Sequence, residues 1–302
     1  MSLTHRLATV QIVPPTPFSA DGKHVLVDTL AALSRELYDA GLRVFLPAAG
    51  TGEFHSLSVD EVVACVKAVR GAVGSDAVVM APVGFALEES LAIGRGAIDA
   101  GADALLVMPP VHSYLADVGF RDYFDVLAKQ LQLPFLAYKR GPVPSDKLLL
   151  DLATGGRLIG VKYAVNELDT FARFAMAAPK SLGLYCGTAE RFAPYFMLAG
   201  AAGYTSGAGN LCPRLTLAMH AHLAAGRFRE AMQVMKVIRP IEDYRAREGD
   251  SFNITLLKYA MELKGYSFGP ARAPLRQLTD AERSEIRVLC EPILAAEKQL
   301  AT

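Results

Sequence analysis

Lys162 ends the apolar run Leu158-Ile159-Gly160-Val161, whose composition is that of a buried strand. A lysine in such a place is costly unless something holds it or uses it. Burial lowers an amine's pKa, so part of it is neutral near pH 7. A neutral amine can attack a ketone and form a Schiff base. Tyr138 ends an earlier apolar run, Phe135-Leu136-Ala137. A phenol within reach of that amine could carry protons to and from a carbinolamine. The plainer alternatives are an ion pair tying Lys162 to a neighbouring strand and a rim tyrosine with a wet hydroxyl. Two glycine-rich stretches add candidate binding groups. In "AAGTGEF" (48–54), Gly50 and Gly52 let backbone amides approach a ligand, and Thr51 offers a hydroxyl to a carboxylate. In "SGAGN" (206–210), Ser206 and the glycines precede a helix N-terminus, an anion-binding arrangement of low specificity. A tight turn without a ligand explains either stretch as well.

The elements around these residues alternate. Short apolar runs at 9–13, 43–47, 77–83, 103–108, 134–138, 157–162, 181–186 and 203–206 read as strands. Amphipathic stretches near 26–40, 58–73, 87–100, 119–131, 145–153, 166–178, 188–200 and 213–225 read as helices. Ser58 with Glu61 forms a capping-box pattern. "DAG" at 39–41 and 99–101 places glycine at two helix ends, and Pro213 suits a first helical turn. Continuous rather than alternating apolar strands imply a parallel sheet covered on both faces. Eight strand–helix units point to a closed (β/α)8 barrel, a TIM barrel, over 1–225. Residues 226–302 read as three helices, near 227–247, 253–264 and 279–299, forming a C-terminal helical extension packed on the barrel. In such a barrel the C-terminal strand ends carry the chemistry. This places Lys162 and Tyr138 on the ends of adjacent strands six and five, with Arg140 beyond Tyr138.

Composition narrows the function. The 302 residues hold 31 Lys+Arg and 31 Asp+Glu, which argues against nucleic acid as a partner. Cys65, Cys186, Cys212 and Cys290 have no CxxC spacing, so zinc or redox motifs are not expected and reduced cytoplasmic thiols are. Neither a signal peptide nor a membrane span is legible. Among the histidines, His220 and His222 lie on different helix faces and make poor metal partners, while His112 sits on a site loop. No metal or organic cofactor is expected.

Read in order, "TPFSADGKHV" (16–25), "AAGTGEFHSLSVDE" (48–61), "GADALLVMPP" (101–110), "FLAYKRGP" (135–142), "LIGVKYA" (158–164) and "GPARAPLRQLTDAE" (269–282) resemble the dihydrodipicolinate synthase / N-acetylneuraminate lyase family. The resemblance implies a (β/α)8 lyase, often a dimer or tetramer, that joins pyruvate or another 2-keto acid to a lysine. By matched motifs, Lys162 would be the Schiff-base lysine, Tyr138 the proton shuttle, and Gly50 and Thr51 part of the carboxylate-binding loop. The lysine-pathway synthase has a threonine at Gly50, a second tyrosine at Val111 and an arginine at Val143; Tyr114 lies near the second of these. The loop and the Tyr-x-Arg of "YKR" look closer to 5-dehydro-4-deoxyglucarate dehydratase, although that branch has Asn at Lys139 and Asp at Tyr163. Lys139 would either add a cation beside Arg140, lowering the Lys162 pKa, or pair with a loop carboxylate. The implied function is that of a keto-acid lyase, aldolase or dehydratase. A barrel that binds keto acids without reacting, and a phosphosugar barrel using "SGAGN", are the rivals.

Overall fold

A computed structural model of the chain describes residues 1–109 and 111–301. Pro110, in the loop after the fourth strand, lies outside the described residues, as does Thr302. A short N-terminal helix α1 (Leu3–Arg6) precedes β1 (Val10–Ile12). There follow α2 (Val27–Asp39), β2 (Val44–Phe45), α3 (Val59–Ala72), β3 (Val78–Val83), α4 (Leu87–Asp99), β4 (Ala104–Val107) and α5 (Asp117–Gln130). The second half contains β5 (Phe135–Lys139), α6 (Asp146–Thr154), β6 (Leu158–Tyr163), α7 (Leu168–Ala177), β7 (Gly183–Cys186), α8 (Ala189–Leu198), β8 (Gly203–Ser206) and α9 (Pro213–Ala224). Among the described residues the eight strands pair in parallel, each with the next, and β8 closes on β1, giving a (β/α)8 barrel.

The caps account for several boundaries. Ser58 accepts from the Glu61 amide while the Glu61 carboxylate accepts from the Ser58 amide, so the predicted capping box opens α3. Gly41 and Gly101, after α2 and α4, have φ of 109° and 86°, where a side chain would be strained. After α9 come α10 (Phe228–Arg245), a four-residue turn α11 (Arg247–Asp250), α12 (Asn253–Leu263) and α13 (Asp280–Gln299). The turn α11 is broken by left-handed Glu248 and Gly249. No helix among the described residues is long and apolar enough to cross a membrane.

Strand alternation decides which side chains reach the barrel interior. Tyr138, Lys162 and Tyr185 are register partners on β5, β6 and β7. A side chain at Gly160 would meet Tyr185 at 2.8 Å and Leu136 at 3.1 Å, so these residues share the interior. Tyr185 is fully buried, and its hydroxyl donates to the Thr4 carbonyl at 3.3 Å, at the N-terminal end of the barrel. It forms the floor beneath Lys162. The alternate residues Lys139, Tyr163 and Cys186 face the helices.

Candidate active site

The Lys162 side chain lies at the C-terminal end of β6 and is 4% exposed. Its Nζ stands 3.9 Å from the centroid of the Tyr138 ring on β5. Burial pushes the lysine below its usual pKa; the Tyr138 phenol and the Cys186 thiol work against that shift, and the Arg140 guanidinium adds to it. Among the cations, Arg140 acts on Lys162 more strongly than Lys139 does.

Lys139 points the other way. Its Nζ donates to the carbonyls of Gly141 at 3.1 Å and Pro144 at 2.9 Å and lies 3.3 Å from the Asp146 carboxylate at the start of α6. Of the two roles open to Lys139, the structure realises the pairing with a carboxylate. Tyr163 sits beside it, with its hydroxyl 3.1 and 3.2 Å from the two Asp146 oxygens and its ring against Phe171, Phe174 and Phe196. The departures at positions 139 and 163 therefore form one cluster behind the barrel wall, away from Lys162.

β2 stands opposite β6 in the eight-strand order, so the loop after β2 faces Lys162 across the mouth. Gly50–Gly52 forms a single 3-10 turn in which Gly50 and Thr51 are half-buried. Nothing lies within 4 Å of where a Gly50 side chain would begin. The turn is tied down from behind. Thr16 Oγ1 donates to the Gly52 carbonyl at 2.6 Å. Glu53 is left-handed, with φ of 63°, and its buried carboxylate accepts from Lys258 Nζ at 2.8 Å and from the Arg272 amide at 2.9 Å. Lys258 also donates to the Thr16 carbonyl at 2.9 Å. Burial holds the Lys258 pKa down to about 8, against the pull of Glu53.

Arg140 follows β5 on the mouth side, where its charge also joins burial in lowering the pKa of His55, after the 3-10 turn. Its guanidinium is half exposed and lies 3.7 Å from Asp250. Ser206 is placed differently from its expected binding role. Alternation turns its side chain outward with that of Tyr204, and its hydroxyl donates to Glu190 Oε1 and accepts from the Gly209 amide at 2.8 Å. The glycines of "SGAGN" serve packing: a side chain at Gly207 would meet the Arg245 guanidinium at 2.3 Å. Val111 and Tyr114 are 74% and 91% exposed, and the His112 Nδ1 accepts from the Tyr114 amide at 3.2 Å.

The sequence places Gly187, within Cys186 to Thr188, just after β7 but assigns it no role. A side chain there would meet Ala164 Cβ at 2.7 Å, the Tyr163 carbonyl at 3.0 Å and Lys162 Cγ at 3.1 Å, so Gly187 makes room for the lysine stem. Thr188 donates to Asn166 Oδ1 at 2.8 Å, joining the loops after β7 and β6.

The dihydrodipicolinate synthetase family model matches residues 7–292. A Streptomyces coelicolor protein named Probable 5-dehydro-4-deoxyglucarate dehydratase 2 is 34% identical over 290 residues, covering 93% of this chain and 88% of its own. The 4-hydroxy-tetrahydrodipicolinate synthase of Corynebacterium diphtheriae is 29% identical over 286 residues, covering 92% of each chain. The crystal structure of dihydrodipicolinate synthase from Bacillus clausii superposes with a TM-score of 0.91 at 32% identity, covering 98% of this chain and 100% of that one.

Proposed function

Because the chain belongs to the dihydrodipicolinate synthetase family, we propose that it is a Schiff-base-forming lyase for a 2-keto acid with a second carboxylate, of the 5-dehydro-4-deoxyglucarate dehydratase kind. The observation that carries this reading is the buried Lys162 amine, depressed in pKa and set against Tyr138 at the barrel mouth. The neutral Nζ attacks the substrate C2 carbonyl, and the carbinolamine loses water to give an iminium. Tyr138 carries the proton between the developing carbinolamine oxygen and nitrogen. The iminium accepts the electron pair left when Tyr138 takes a proton from C3; the pair returns to form the C3–C4 double bond as that proton is passed to the C4 hydroxyl, which leaves as water, and hydrolysis of the iminium then frees the product and the Lys162 amine.

Three observations support the dicarboxylate. The half-buried Gly50–Thr51 turn opposes Lys162 and suits the carboxylate next to the ketone. Open space at Gly50 admits a larger substrate than a threonine there would. Arg140, close enough for its charge to act on Lys162, suits the far carboxylate. A second reading, aldol addition as in the Corynebacterium relative, shares the same iminium. Position 143, where that reading wants an arginine, is a partly buried valine packed on the core.

Borohydride reduction in the presence of pyruvate or a 2-keto-3-deoxy sugar diacid tests the reading. The reduced adduct is expected on the peptide containing Lys162 and is expected to vanish in Lys162→Ala. Undiminished trapping in that variant would remove Lys162 from the chemistry. Ligand-induced thermal stabilisation without any adduct would favour a barrel that binds without reacting.

A further inference from the structure

We propose that Asp250 is a specificity-determining residue that occupies Arg140 in place of a substrate's second carboxylate, so that a dicarboxylate must displace it and a monocarboxylate need not. The proposal rests on the reading that Arg140 faces the substrate bound at Lys162.

The pair is built to be exchanged. Asp250 Oδ2 stands 3.7 Å from the guanidinium, beyond hydrogen-bond distance, and the two side chains are 58% and 55% exposed. Among the described residues Arg140 makes no other ion pair, so its donors are free for a planar, two-oxygen partner. Asp250 is held in place by other means. It ends three consecutive left-handed residues, Glu248, Gly249 and Asp250, with φ of 49°, 66° and 67°. Two of these are not glycine, and such backbone persists only where its surroundings fix it. Here Glu248 is bound by Arg276 at 3.0 Å, and the adjacent Arg247 is bound to Glu285 at 3.0 Å. The turn between α10 and α12 thus presents a carboxylate to the mouth whether or not Arg140 answers it. Removing that carboxylate frees the guanidinium without releasing the turn.

The test is the concentration of keto acid giving half-maximal borohydride trapping at Lys162, measured with 2-oxoadipate and with pyruvate. Asp250→Asn suits it, because asparagine tolerates left-handed backbone and carries no charge. The variant is expected to lower the 2-oxoadipate value about two- to fivefold relative to the pyruvate value, the range an exposed ion pair of this kind commands, because any change that Arg140 exerts on Lys162 is common to both acids. In an Arg140→Gln background the same change is expected to have no effect. An equal shift for both acids, no shift for either, or a 2-oxoadipate value raised relative to pyruvate would overturn the proposal. Normal pyruvate trapping with an unaltered 2-oxoadipate preference removes the role of Asp250 alone. Absence of any adduct in the unmodified protein removes the lyase reading and this inference with it.

Discussion

Replacing Gly187 by alanine tests whether the lysine is positioned by the strand end beside it. The new Cβ would lie 2.7 Å from Ala164 Cβ and 3.1 Å from Lys162 Cγ, whereas carbon–carbon contacts are best at about 3.5–4.0 Å. Relieving the first contact needs a separation of roughly 0.8 Å, and relieving the second needs the lysine stem to move by roughly 0.4 Å. The Gly187 amide also donates to the Tyr163 carbonyl at 2.6 Å, so separation strains a strand-end hydrogen bond. Overpacking of this size costs about 1–3 kcal/mol of stability. A displacement approaching 1 Å at a reacting group costs about a hundredfold in rate, so a ten- to hundredfold slower adduct formation is expected. The assay is the rate of borohydride-trapped adduct formation with pyruvate, read beside the melting temperature. Pairing the change with Ala164→Gly removes the 2.7 Å contact and is expected to restore most of the stability. If Gly187→Ala alone forms adduct at the original rate, the packing account of Lys162 is wrong.

Two further outcomes check the placement of individual groups. Tyr163→Phe should leave turnover within about twofold, because the hydroxyl meets Asp146 behind the barrel wall, while stability falls by about 0.5–1.5 kcal/mol; a large loss of turnover would place Tyr163 in the site. Glu190 is buried, its Oε2 has no partner among the described residues, and burial with the nearby Glu242 charge raises its pKa to about 7 despite hydrogen bonds from Ser206 and Thr216. The folded state therefore keeps a proton that the unfolded chain releases near the ordinary glutamate value of 4.5, so this contribution to stability is complete below pH 4.5 and is lost as pH rises to about 7. Melting curves of the protein and of Glu190→Gln should diverge across that window, and curves that stay parallel would refute the assignment.

The barrel was legible because its signals are local. Buried strands, glycine stops after α2 and α4, and the Ser58–Glu61 box each lie within a few residues of one another. Lys162 and Tyr138 stood out because an amine and a phenol at the ends of apolar strands demand a reason. The outward direction of Lys139 and Tyr163 was also available, since period-two alternation sets each opposite its neighbour, Tyr138 or Lys162. Ser206 yields to the same rule. Other features needed three dimensions. Asp250 reaches Arg140 from a turn far along the chain, and Glu190 looks from sequence like an ordinary helical carboxylate. Nothing local marks Gly187 as the residue that admits the lysine stem.

Glu53 and Lys258 connect distant parts of the chain. The turn facing Lys162 is fastened to α12, more than two hundred positions later, through a carboxylate and an ammonium that are both withdrawn from water. A chain cut after α9 would retain every strand of the barrel and yet leave the Glu53 carboxylate without the Lys258 ammonium and the Arg272 amide that hold it. Breaking such a pair costs about 3–5 kcal/mol, a large part of a typical domain's total stability. Minimal versions of this barrel designed by trimming its trailing helices would thus lose the shape of the loop after β2 before they lost the strands. During synthesis, too, that loop has no complete set of partners until α12 and the Arg272 segment have left the ribosome.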